Sequence, residues 1–86
     1  MPYTIQVTPR AEKELSGIRG KQRVKIDKAI DRLADDPRPQ QSKALKGKLA
    51  GQYRIRVNDF RVLYLVEDGE LLVLVVRVLN RKKSYR

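Results

Sequence analysis

Three runs rich in β-branched and aromatic residues, 52–57, 60–66 and 70–78, follow one another, separated by Asn58-Asp59 and Asp68-Gly69. Asn, Asp and Gly tolerate the positive φ that a two-residue hairpin loop demands, so this spacing predicts an antiparallel meander. Strands joined so tightly cannot accommodate crossover helices. In a chain of 86 residues, whatever precedes them has to cover one face of that sheet.

The first half supplies the cover. Residues 3–8 alternate and read as a first strand. Thr8-Pro9 is a helix start, with Thr as cap and Pro at the first helical position, and Ala11, Leu15 and Ile18 follow at helical spacing. Gly17 and Gly20 flank a break, after which Ile26, Ala29, Ile30 and Leu33 form a second apolar stripe. Asp36-Pro37 and Pro39 end the second helix, because a residue before proline is pushed out of the helical region. Residues 37–51, with Gly47 and Gly51, are expected to form a loop. The whole reads βααβββ, an α+β fold in which two helices pack on one face of a small antiparallel sheet, as a single domain over 1–86.

The two turns also sort the side chains. With two-residue loops, Val57 pairs with Phe60, Arg56 with Arg61 and Arg54 with Leu63, and residues two apart share a face. One face carries Tyr53, Ile55, Val57, Phe60, Val62, Tyr64, Val66, Leu71, Val73 and Val75, the expected floor for the helices. The other gathers Arg54, Arg56 and Arg61, bordered by Leu63, Leu65, Leu72, Leu74 and Val76. Like charges opposite one another across strands repel. An anion between them would relieve this, and guanidinium forks match phosphate oxygens. Solvated strand arginines would give the same pattern, so spacing alone leaves both readings open. The leucines on an uncovered face point to a protein partner, unless a curved sheet or the C-terminal tail covers them.

Composition narrows the chemistry. The formal charge is +10, with nine Lys/Arg against six Asp/Glu in residues 1–40 and eleven against four in residues 41–86. This density favours nucleic acid over a membrane surface, since no amphipathic stretch joins a basic face to bulky aromatics. The chain has no Cys and no His, so no metal site or other cofactor is expected, and neither is a small-molecule ligand. Any catalysis has to use Arg, Lys, Tyr or carboxylates. The start of the chain lacks the apolar core of a secretion signal, and Leu71 to Val76 is too short to span a bilayer, which makes the cytoplasm the expected location.

From Leu45 to Tyr85 the chain runs Leu-Lys-Gly, then Gly-Gln-Tyr-Arg-Ile-Arg-Val-Asn-Asp-Phe-Arg-Val-Leu-Tyr, a valine-rich strand, and Asn-Arg-Lys-Lys-Ser-Tyr. This ordered set resembles the RelE branch of the RelE/ParE superfamily of toxin–antitoxin toxins. The resemblance implies an endoribonuclease that enters the A site of the 70S ribosome, cleaves mRNA and is neutralised by a cognate antitoxin. It implies phosphate-binding and catalytic roles for Arg54, Arg56, Arg61 and Arg81, with Tyr85 stacking on a base, orienting the attacking hydroxyl or taking its proton. Lys46 and Lys48 fall where the family places positive charge against RNA; Lys82 and Lys83 are expected to add nonspecific RNA contacts. The antitoxin is expected to cover Leu63, Leu65, Leu72, Leu74 and Val76.

The chain departs from the family pattern twice. The first meander strand, 52–57, carries arginine at both positions where relatives often have lysine, and Leu79-Asn80 replaces a Gly-His pair, so no proton acceptor is assigned; an arginine with a pKa above about 12 does not serve. Two other functions fit the sequence: a ParE-like inhibitor of DNA gyrase, which shares the fold, and a non-catalytic basic nucleic-acid-binding module.

Overall fold

The computed structural model describes residues 2–81. In chain order these form β1 (Thr4–Val7), α1 (Pro9–Ser16), α2 (Gly20–Arg32), β2 (Lys43–Ala44), β3 (Gln52–Val57), β4 (Phe60–Glu67) and β5 (Leu72–Asn80). The architecture is α+β, two helices with a five-stranded mixed sheet in the order β1-β5-β4-β3-β2. The expected meander is its centre, β3, β4 and β5, all antiparallel. Two features depart from expectation. β1 joins the edge of β5 in parallel, and the loop after α2 contains the short β2, which pairs antiparallel with β3. Short turns dictate the direction only of the strands they join. β1 is separated from its partner by both helices, so packing chose its orientation.

The helices start and stop for local reasons. The Thr8 hydroxyl accepts from the Ala11 N–H at 3.2 Å, and Pro9 opens α1 without needing a hydrogen-bond acceptor. Gly20 takes φ 70° at the start of α2, a left-handed value that costs glycine little. Both helices turn their apolar stripes onto the sheet. Ala11, Leu15, Ile26, Ile30 and Leu33 are buried against Ile55, Phe60, Val62, Tyr64, Val73, Val75 and Val78. Each large apolar side chain buried here contributes roughly 1.5–3 kcal/mol. Tyr64 is fully buried and donates its hydroxyl to the Pro37 carbonyl at 2.8 Å, which closes the loop after α2 onto the core. Among the described residues no helix is long and apolar enough to cross a membrane.

The β4–β5 connection corrects the two-residue turn expected at Asp68-Gly69. Asp68–Glu70 form a 3-10 turn and Leu71 follows with φ 50° and ψ 50°, so four residues separate Glu67 from its partner Leu72. Leu71 therefore does not lie on the core face but is exposed, in a conformation that costs a branched residue about 1–2 kcal/mol. A bulge corrects the second half of β5. Tyr64 pairs with Val75 but Leu63 pairs with Arg77, leaving Val76 as the extra residue. Beyond it the alternation inverts: Val78 is buried, while Arg77 and Leu79 stand opposite Leu63 and Arg61. Val76 therefore drops out of the regular outer row in which it was expected.

The bulge falls where β1 stops pairing with β5. There α1 takes over the exposed strand edge, with the Thr8 N–H donating to the Val75 carbonyl at 2.9 Å and the Thr8 hydroxyl to that of Val76 at 3.2 Å. Glu14 on α1 then accepts from the Val78 N–H at 2.7 Å and from the Arg77 guanidinium at 2.8 and 3.0 Å. Burial pushes the Glu14 carboxyl up, but the hydrogen bonds from Arg77 and Val78 and the charge of Arg77 outweigh it and hold the group below its usual range.

At the β4–β5 turn, polar side chains clasp four segments together. Arg38 donates to both oxygens of Asp68, at 3.1 and 2.8 Å, and its Nε donates to the Tyr53 hydroxyl at 2.9 Å. The guanidinium also lies 5.1 Å from the Tyr53 ring centre, and Tyr53 stacks on Tyr64. Tyr3 donates its hydroxyl to Asp68 at 2.6 Å. The hydrogen bonds from Arg38 and Tyr3 hold the Asp68 carboxyl down at about 2.

Candidate nucleic-acid interface

On the sheet face away from the helices, the register places Arg54 opposite Leu63 and Arg56 opposite Arg61, as the turn spacing predicts. Asn58 makes this possible by adopting φ 56° in the tight turn. Cross-strand partners share a face and residues two apart on a strand do also, so the three guanidinium groups converge at one end of the sheet. Their mutual influence is visible electrostatically. Arg54 is held below its usual pKa first by partial burial and then by the charges of Arg56 and Arg61. Arg56 is exposed, whereas Arg54 and Arg61 are half-buried, with the Nε of Arg61 out of reach of solvent. Arg61 therefore presents its guanidinium from a packed stem.

Arg81 follows β5 directly, and its backbone N–H donates to the Asp59 carbonyl at 2.6 Å, in the turn between β3 and β4. Its backbone is thus fixed at the same end of the sheet as Arg56 and Arg61, although it follows them by 25 and 20 residues in sequence. The ion pairs Arg23–Asp27, Arg38–Asp68 and Arg77–Glu14 all lie outside this cluster. Arg77 stands opposite Leu63, next to the arginine row, but its charge is engaged by Glu14.

Sequence reasoning missed Lys43. β2 pairs with β3 so that Lys43 is the cross-strand partner of Arg54, which extends the row of cations by one strand. A two-residue strand is too short for period-two alternation to reveal, so no local signal marked it. Lys46 precedes and Lys48 lies within a 3-10 turn, Gly47–Leu49, and both are exposed beside the same edge strand. Leu63, Leu65, Leu72 and Leu74 are half-buried on the arginine face, and Val76 is half-buried at the bulge. Tyr85, Lys82 and Lys83 lie outside the described residues.

A row of fixed cations at one end of a half-apolar sheet face can hold a polyanion without a metal, since guanidinium groups donate to phosphate oxygens through paired N–H groups. Known proteins share both the sequence and the shape. Toxin RelG of Mycobacterium tuberculosis is 30% identical over 87 residues, covering 100% of this chain and 99% of that protein. Toxin RelE of the same organism is 28% identical, over 99% of this chain and 88% of its own length. Among solved structures, the RelBE2 toxin–antitoxin complex from M. tuberculosis superposes with a TM-score of 0.83 at 28% identity, covering 94% of this chain and all of that one. The intact E. coli RelBE toxin–antitoxin complex gives 0.78 at 26% identity, over 91% and 95% of the two chains. Residues 5–85 match the family described as the ParE toxin of the type II toxin–antitoxin system, parDE. Since that match spans nearly the whole chain, the protein belongs to the ParE toxin family of type II toxin–antitoxin systems.

Proposed function

We propose that this toxin is a metal-independent endoribonuclease that acts in the cytoplasm, cleaves mRNA in the A site of the 70S ribosome and so arrests translation. The observation that carries this reading is the convergence of Arg54, Arg56 and Arg61 on one face, with the Arg81 backbone held at the adjoining turn. RNA brings its own nucleophile, the 2′-hydroxyl. The protein therefore has to align that oxygen with the scissile phosphorus and stabilise the charge that builds on the phosphate. Arg61 and Arg81 clamp the non-bridging oxygens; Arg54 and Arg56 bind the neighbouring phosphate and stabilise the leaving oxygen. Lys43, Lys46 and Lys48 extend the track along the RNA backbone, with Lys82 and Lys83 contributing further contacts. Tyr85 stacks on a base of the bound codon, a role that needs no ionisation.

The cognate partner is an antitoxin whose apolar side chains cover Leu63, Leu65, Leu72, Leu74 and Val76 while its carboxylates approach the arginine row. Coverings of this kind are consistent with the RelB-bound complexes among the structural relatives.

Primer extension on translated mRNA, with the parent beside Arg61→Ala and Arg81→Ala, tests the assignment. Each variant is expected to cut at least about a hundredfold more slowly, the usual loss when one charge-stabilising group is removed. Parent-like cleavage by both would end the reading. The ParE name of the matching family favours a second reading, inhibition of DNA gyrase. Induced expression separates the two: translation arrest supports the nuclease, and double-strand breaks with intact translation support the gyrase inhibitor.

A further inference from the structure

A second concentration of cations lies on α2, away from the arginine face. Lys21, Lys25, Lys28 and Arg32 recur at i, i+4, i+7 and i+11, a single stripe on a helix whose opposite side buries Ile26 and Ile30. All four are exposed. A rise of about 1.5 Å per residue makes this row about 16 Å long. Lys21, Lys25 and Lys28, with Gly20, Arg23 and Val24, line a shallow depression on this surface. The acidic groups of the helix sit to one side of the stripe: Asp27 is paired with Arg23 at 3.1 Å, and Asp31 is next to it. Among the described residues none forms an ion pair with Lys21, Lys25, Lys28 or Arg32.

We infer that this face of α2 is a docking surface for the phosphodiester backbone of structured RNA, separate from the arginine cluster. The inference deepens the proposed function, since a ribosome-dependent nuclease needs a hold on the RNA scaffold besides the strand it cuts. Charge complementarity identifies the occupant. Lysines act as mobile point charges suited to phosphates and read no base sequence. A straight row of that length matches a duplex backbone, where phosphate charge recurs about every 1.7 Å of axis in double-stranded DNA. A protein partner fits poorly, because lysine is depleted at protein interfaces and the surface offers only Val24, 52% exposed, as an apolar anchor. A lipid surface fits poorly for the same reason, as no bulky apolar residue flanks the stripe.

The test uses a cleavage-silent Arg61→Ala chain as background and two probes, purified 70S ribosomes and a short blunt-ended RNA duplex. Into it go Lys21→Gln, Lys25→Gln and Lys28→Gln together, and separately an equal charge loss on α1 and its following loop, Arg10→Gln, Lys13→Gln and Arg19→Gln. The α2 triple is expected to bind both probes roughly tenfold more weakly, with the slope of log affinity against log salt reduced by about 2 to 3. Replacing the same lysines by arginine should restore binding, and thermal unfolding should be unchanged. An equal loss in both triples would overturn the inference, since net charge alone would then explain it. So would unchanged binding of both RNA probes. Binding is read here without cleavage. If the parent fails to cut mRNA yet the salt slope falls, the nuclease reading fails and the docking surface stands; the converse result removes only the docking surface.

Discussion

The two turns that bracket β4 stand at opposite ends of the same strands, and they treat charge in opposite ways. At the β4–β5 turn Arg38 is matched by Asp68, with Tyr53 and Tyr3 completing the hydrogen bonds. At the β3–β4 turn Arg56 faces Arg61, and both lower the affinity of Arg54 for its proton. The first arrangement joins the segment after α2 to β3 and to the β4–β5 turn, and through Asp68 to Tyr3 just before β1. The second gathers arginines on one face, where like charges opposite one another repel and an external anion would relieve the repulsion. On the proposed reading, one end of these strands serves stability through the Arg38–Asp68 pair and the other gathers arginines for binding.

Four measurements test that division, in decreasing order of effect. Arg61→Ala should slow cleavage of translated mRNA by about a hundredfold or more, while far-ultraviolet circular dichroism keeps the parent spectrum. Glu14→Ala removes the acceptor of the Val78 N–H and the counterion of Arg77, and chemical denaturation should show a loss of about 2 kcal/mol, with ribosome-dependent cleavage per folded molecule retained. Asp68→Asn should lower the melting temperature at neutral pH without altering cleavage. Because the folded Asp68 pKa lies at about 2, below the usual 3.8, its contribution is fully present above about pH 4 and is lost as pH falls through 2. The melting curves of parent and Asp68→Asn should therefore converge over that interval. Arg56→Ala, the smallest effect on folding, should stabilise the chain by roughly 0.2–1 kcal/mol through relief of its repulsion with Arg61, even as it reduces cleavage. Stability gained with activity lost at Arg56, against stability lost with activity kept at Asp68, is the pattern that distinguishes the two ends. Parallel changes in both quantities at either site would dissolve the distinction.

Much of the sheet was legible before any coordinates. Asn58-Asp59 and the period-two alternation on either side place Arg56 against Arg61 and Arg54 against Leu63, as observed. Thr8-Pro9 marks the start of α1, and the apolar stripe through Ile26, Ile30 and Leu33 identifies the buried side of α2. The misreadings have a common origin. Asp68-Gly69 resembles a tight turn, yet the chain continues through a 3-10 turn and places Leu71, not the glycine, in the left-handed region. The bulge at Val76 leaves no local mark, although it inverts the faces of Arg77, Val78 and Leu79. It arises where β1 ends and α1 takes over the edge of β5.

Taken alone, the order of residues determined whatever depends on neighbours along the chain: helix caps, hairpin register and the convergence of three arginines across one turn. Those features follow from dihedral preferences and from the periods of strand and helix, which act over a few residues. Only the tertiary structure decided that β1 runs parallel to β5, that Lys43 joins the arginine row, that Glu14 engages Arg77 and that Arg38, Tyr3 and Asp68 meet. Each of these brings together residues from separate elements, where the competition for buried area and for hydrogen-bond partners is settled by the packed whole.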